Sequence, residues 1–227
     1  MNTYKNIFYC FFSSLILFSC QGTKSEVNKN EDEDESKAIN LLTDHIPLNH
    51  DGDVNAVIEI PAGTIDKWEL NKSDGQVEWE TVNDVPRVVN YLGYPGNYGM
   101  IPRTLLPKDE GGDGDPLDIL VLGPPEDRGS LIKCKLIGIL YLFDRGEKDD
   151  KLIAISSSSP LYHVNDIEEL DEKYMGLAEI IKLWFTNYKG PGKMISNGYG
   201  NRNSALEILK IAIDEYAQIN AEVNPNE

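Results

Sequence analysis

Alternating apolar and polar positions come early in this chain, and helical spacing comes late. Val54-Asn55-Ala56-Val57-Ile58-Glu59-Ile60-Pro61 predicts a strand with Ile58 and Ile60 on one face and Glu59 on the other, closed by Pro61 and Gly63. Lys67-Trp68-Glu69-Leu70 and Val77-Glu78-Trp79-Glu80-Thr81 alternate on either side of Asn71-Lys72-Ser73-Asp74-Gly75, which predicts a hairpin. Period two puts Lys67 and Glu69 on one of its faces and Trp68 and Leu70 on the other. Residues 91–102 are dense in Tyr, Gly and Pro, which excludes a helix and predicts a segment wrapping the rim of a sheet. Ile119-Leu120-Val121-Leu122 reads as a buried strand, while residues 131–143 and Leu152-Ile153-Ala154-Ile155 read as a hairpin with a charged tip.

From 171 to 187 the pattern changes. Leu177, Ile180, Ile181, Trp184, Phe185 and then Tyr188 recur at three- and four-residue steps, predicting one amphipathic helix ended by Tyr188-Lys189-Gly190-Pro191-Gly192. A second helix is expected to start at Ser204, with Glu207 completing a capping box and Leu206, Leu209, Ile213 and Tyr216 facing inward. Strands first and helices last define an α+β domain, an antiparallel sheet or barrel with helices against it.

The N-terminus has a different grammar. Lys5 precedes an apolar block over residues 7–18, too short to span a membrane as a helix, followed by Ser19-Cys20. The block matches a signal peptide over residues 1–19, and Leu17-Phe18-Ser19-Cys20 resembles a bacterial lipobox, in which Cys20 becomes the lipidated N-terminus. A soluble periplasmic form or an uncleaved anchor are the alternatives. Residues 20–39 hold the acidic run Glu31-Asp32-Glu33-Asp34-Glu35 and read as a tether of about 20 residues, so the folded domain is expected over 40–227. The expected setting is that of an exported bacterial lipoprotein, periplasmic or outer-membrane associated, held to the membrane by its N-terminal lipid alone.

Charge and cysteine use narrow the partners. The net charge is −17, with +1 in residues 1–20 and −3 in residues 21–40, which leaves −15 for residues 41–227. A domain so acidic repels nucleic acid and favours cations. With Cys10 leaving in the signal peptide and Cys20 carrying the lipid, Cys134 stands alone in the domain and no internal disulfide can form. His45, His50 and His163 are too sparse for a zinc site.

The candidate chemistry lies at Gly111-Gly112-Asp113-Gly114-Asp115-Pro116-Leu117-Asp118, just ahead of the apolar strand. Taken alone, Asp, Gly and Pro make an ordinary turn. An EF-hand loop fails, since counting from Asp109 puts Leu120 where the ligating Glu should stand. Three clustered carboxylates repel one another unless cations sit between them, and oxygen-only donors favour hard divalent ions.

Asp113-Gly114-Asp115-Pro116-Leu117-Asp118 does not stand alone. With Ile58-Glu59-Ile60-Pro61, Lys67-Trp68-Glu69, Tyr94-Pro95-Gly96-Asn97-Tyr98-Gly99, the spacing of Asp144, Asp149 and Lys151, and Tyr188-Lys189, it makes residues 54–216 resemble the soluble family I inorganic pyrophosphatases. The resemblance implies a five-stranded OB-type β-barrel with two main C-terminal helices packed on it. It also implies Mg²⁺-dependent hydrolysis of pyrophosphate to two phosphates, with several ions per active site and no covalent intermediate. By the same resemblance Asp113, Asp118 and Asp149 hold the first metal, and Glu59 and Asp144 serve further ions. Asp115 is the general base. Lys67, Arg87, Tyr98, Lys151, Tyr188 and Lys189 hold the phosphates, with Glu69 and Tyr94 also in the site. Arg87 is chosen as the only Arg or Lys between Lys72 and Tyr94, and spacing alone selects Asp149 over Asp150. Two alternatives stay open: an exported metal- or phosphate-binding lipoprotein that has lost turnover, and a hydrolase of another phosphoanhydride. So does the oligomeric state, a homo-oligomer being one arrangement.

Overall fold

The structure is a computed structural model and describes residues 38–223. The expected signal peptide, Cys20 and all of the acidic tether except residues 38–39 lie outside them. In chain order the strands are β1 (Val54–Ile60), β2 (Trp68–Asn71), β3 (Gln76–Trp79), β4 (Thr81–Val82), β5 (Val85–Pro86), β6 (Asn97–Met100), β7 (Asp118–Leu122), β8 (Leu131–Asp144), β9 (Glu147–Lys148), β10 (Lys151–Ser156) and β11 (Met194–Asn201). The helices are α1 (Ile167–Lys173), α2 (Leu177–Asn187) and α3 (Arg202–Val223).

The main sheet is mixed, in the order β1-β6-β7-β10-β8-β11, with β10 parallel to β7 and its other pairings antiparallel. β1 also pairs with β8, from Val54 opposite Cys134 to Val57 opposite Leu131, so the pairings of five strands return to their start. Period two then divides the apolar runs between two cores. Leu120, Leu122, Ile153 and Ile155 pack with Leu170, Trp184 and Phe185 of α1 and α2. Ile119, Val121, Leu152 and Ala154 join Ile58 and the α3 residues Ala205 and Leu209. Because both faces are covered, β10 is buried along its whole length and shows no polar alternation.

Several expectations from the sequence change, the antiparallel sheet among them, since β10 runs parallel to β7. Residues 91–102 do not simply wrap the rim: β6 lies buried between β1 and β7. Gly99 permits this, since a Cβ there would stand 1.9 Å from the Val57 carbonyl oxygen. The single helix expected over 171–187 is two. α1 starts at Ile167, where the Asp166 side chain accepts from the Glu168 N–H, and the chain breaks before α2 at Gly176, whose φ of 86° a helix cannot contain. Ile180 faces outward, 63% exposed.

The last helix starts at Arg202 rather than Ser204, because Asn201 supplies the cap by accepting from the Ser204 N–H at 3.1 Å. β11, paired along the far half of β8, has no counterpart in the sequence reading; its two glycine and asparagine pairs, Asn197-Gly198 and Gly200-Asn201, and its mixed burial hide the strand period. The described residues therefore hold three helices, where two main ones were expected.

Candidate active site

A cleft of about 440 Å³ opens where β1, β6, β7 and β10 present polar side chains beside the β2–β3 hairpin. Sheet register assembles its centre. Leu152 lies opposite Ile119 in the parallel β7–β10 pair, so Lys151 and Asp118 enter their strands side by side. Lys151 Nζ stands 2.5 Å from Asp118 Oδ2 and 2.5 Å from Asp149 Oδ1. Lys151 is 2% exposed. Burial alone would lower its pKa, but the two carboxylates outweigh it and hold the ammonium above its ordinary range.

Glu59 reaches the cleft through a β-bulge. Ile58 and Ile60 stand opposite the adjacent residues Gly99 and Tyr98, so Glu59 is the extra residue of β1. Its Oε1 accepts from the Leu70 N–H at 2.7 Å, which ties the β2–β3 hairpin to the main sheet. Burial, opposed by the charge of Lys67, pushes its carboxyl up to about 8.

Cations and phenols face these carboxylates. Lys67, Arg87, Tyr98, Tyr188 and Lys189 all line the cleft. Glu80 organises two of them, taking Arg87 Nη1 on both oxygens at 2.6 and 2.7 Å and standing 3.9 Å from Lys67 Nζ. Burial raises the phenols of Tyr98 and Tyr188 above their ordinary value, so both remain donors at neutral pH. Tyr188 is placed by its stack on Trp184, with ring centroids 4.6 Å apart.

The carboxylate turn is fixed at both ends. The Asp115 N–H donates to Asp113 Oδ1 at 2.9 Å, and the Leu117 N–H donates to Thr104 Oγ1 at 2.9 Å. Gly114 between them has a φ of 94°, which favours glycine. Lys72, from the hairpin turn, donates to the Gly114 carbonyl oxygen at 3.1 Å and is paired with the Asp115 carboxylate.

Of the residues singled out from the sequence, Asp113, Asp115, Asp118, Asp149, Glu59, Glu69, Lys67, Arg87, Tyr98, Lys151, Tyr188 and Lys189 all line this cleft. Asp144 and Tyr94 do not. Asp144 lies behind Lys189, whose Nζ is 2.8 Å from its Oδ2. Burial pushes the Asp144 carboxyl up, but Lys189 outweighs it and holds the group below the usual range. Tyr94 is buried in the aromatic layer, 4.4 Å from Trp184 and 5.2 Å from Tyr98 between centroids. Asp150 turns away from the cleft, its Oδ1 accepting from the Leu142 N–H at 2.9 Å. Lys72, Glu80 and Thr104 are the contributors that sequence reasoning missed.

Among the described residues no three acidic side chains stand ready to enclose an ion, since lysines occupy the space between them. The donor set nevertheless fits a hard divalent cation. Its ligating atoms are all carboxylate oxygens, and Asp144 Oδ1 is buried without a hydrogen-bond partner.

A sheet that sets buried cations and phenols against clustered carboxylates defines a site for a small, highly charged anion. The family model for inorganic pyrophosphatase matches residues 56–217. The soluble inorganic pyrophosphatase of Zea mays is 36% identical over 168 residues, covering 72% of this chain and 72% of that protein. The inorganic pyrophosphatase of Campylobacter jejuni is 35% identical over 167 residues, covering 72% and 91%. The crystal structure of the Thermus thermophilus inorganic pyrophosphatase matches with a TM-score of 0.66 at 30% identity, over 79% of this chain and 99% of that one. The chain belongs to the family I soluble inorganic pyrophosphatases and hydrolyses pyrophosphate, a phosphoanhydride, to two phosphates.

Proposed function

We propose that the reaction takes place in this cleft by direct attack of water, with Asp115 as the general base. The observation that carries the assignment is that the carboxylates and the phosphate-binding donors share one cavity, with Asp115 half-exposed at its edge. Asp115 takes the proton of the attacking water. Lys67, Arg87, Tyr98, Lys151, Tyr188 and Lys189 hold the phosphate oxygens and stabilise charge as it moves onto the leaving phosphate. In-line displacement by water needs no covalent intermediate on a side chain. Asp113, Asp118 and Asp149, supported by Glu59 and Asp144, would hold Mg²⁺ ions that supply Lewis-acid activation of water and neutralise phosphate charge.

Phosphate release from pyrophosphate by the purified protein tests the assignment. Fast release in Mg²⁺, abolished by chelator and reduced about 10²- to 10⁴-fold by Asp115→Asn, supports it. Full activity in Asp115→Asn would remove Asp115 from the role of base.

The closed circuit of strand pairings supports reading the sheet as a five-stranded barrel of OB type. The leader pattern supports a chain exported and lipidated at Cys20, where it would release phosphate from external pyrophosphate. Membrane fractionation before and after Cys20→Ser tests the anchor. Growth on pyrophosphate as sole phosphate source, unchanged by deletion of the gene, would end the scavenging proposal.

A further inference from the structure

We propose that Lys72 is a positioning residue for Asp115, carried over the cleft by the tip of the β2–β3 hairpin. The inference rests on Asp115 being the base. Lys72 binds the 113–115 turn at two points, the Gly114 carbonyl oxygen at 3.1 Å and the Asp115 carboxylate, and so fixes both the backbone and the side chain of the residue that must meet water. Gly114 is the pivot of that turn. Its φ is 94° and, its chain neighbours aside, no atom lies within 4 Å of where its Cβ would stand, so the turn is open on that side. The Asp113 side chain secures only the Asp115 N–H.

Lys72 itself stands on a stiff base. Asn71 Oδ1 accepts from the Ser73 N–H at 2.9 Å and from Ser73 Oγ at 2.7 Å, and the Gly75 N–H donates to the Asn71 carbonyl at 2.8 Å. The Leu70 N–H is anchored on Glu59, and Trp68 stacks on Trp79 with centroids 5.4 Å apart. The ammonium is therefore delivered by a hairpin tied to the main sheet, not by a free surface lysine. The pair is half-exposed, with side chains 52% and 57% accessible, so it adds little to stability. Its effect is to restrict where the base points, and orientation is read in kcat rather than in unfolding.

Steady-state pyrophosphate hydrolysis by Lys72→Ala, Lys72→Arg, Asp115→Asn and the Lys72→Ala/Asp115→Asn double variant, in saturating Mg²⁺, tests this. Lys72→Ala is expected to lower kcat about tenfold with KM changed less than about threefold and Tm unchanged. Lys72→Arg should recover most of the loss. In the Asp115→Asn background, Lys72→Ala should add less than about a twofold effect, since there is no base left to position. A raised KM with kcat intact would make Lys72 a phosphate anchor instead. An equal loss of kcat in both backgrounds, or no loss in either, would overturn the proposal. Wild-type kcat in Asp115→Asn alone would show that the base assignment, and not the lysine, is at fault.

Discussion

Lys151 and Asp118 are neighbours across the parallel join of β7 and β10, with Nζ 2.5 Å from Oδ2, and Asp149 meets the same ammonium at 2.5 Å. One buried cation thus holds together two carboxylates that would otherwise repel. Replacing Lys151 by Met keeps the stem and removes the charge. In chelator this is expected to cost about 3 kcal/mol, measured by urea unfolding, because the acidic pair is left unpartnered. Mg²⁺ should restore part of that stability more strongly in the variant than in the parent. Equal Mg²⁺ effects on both would show that the carboxylates do not gain a cation in place of the ammonium.

Thr104 controls the other end of the carboxylate turn. It is 1% exposed, donates to the Ile101 carbonyl at 2.7 Å and accepts from the Leu117 N–H at 2.9 Å. Thr104→Val leaves that N–H buried without an acceptor, at an expected cost of about 1–3 kcal/mol. Since Leu117 lies between Asp115 and Asp118, kcat should fall as well, under conditions where the variant is fully folded. A destabilised variant with unchanged kcat would mean that the turn is held without Thr104.

Gly99→Ala is expected to be among the most damaging single substitutions in the domain. The added methyl would meet the Val57 carbonyl oxygen at 1.9 Å, within paired backbone that has no flexible side chain to yield. Loss of more than about 3 kcal/mol, or failure to accumulate as soluble protein, is the expected outcome. Near-parental unfolding would mean that β1 and β6 can separate at little cost.

Cys134 should be silent to thiol reagents. Its side chain is fully buried, and burial raises the thiol well above its ordinary pKa, so the reactive thiolate is scarcer at pH 8 than for a free cysteine. Colorimetric thiol titration should find Cys134 unreactive in native protein and reactive in urea. Rapid labelling of the native domain would show that β1 and β8 open where Cys134 faces Val54.

The cleft was legible where chemistry is concentrated in short motifs. Asp113, Asp115 and Asp118 occur within one turn, and Lys67 and Glu69 follow the period of β2. Residues that act through geometry were not. Lys72 looks like any turn lysine, Thr104 like any small core residue, and Glu80 like a solvent-facing strand position until Lys67 and Arg87 are seen on either side of it. Spacing alone favoured Asp149 over Asp150 in the sequence; the physical reason, Asp149 meeting Lys151 while Asp150 accepts from the Leu142 N–H, depends on how β8 passes the loop. The helical stretch after residue 166 kept its apolar period through a break, because Gly176 interrupts the backbone without interrupting the pattern.

The pairing of Val54 with Cys134 and the arrival of Tyr188 and Lys189 after α2 set a timetable for this enzyme. By the time residue 151 leaves the ribosome every proposed carboxylate has been made, yet Tyr188 and Lys189, two of the six groups that hold phosphate, are still missing. Contacts so distant along the chain form late. A product truncated before Tyr188 lacks both of those groups and the α3 residues that complete the second core, and should therefore be inert instead of weakly active.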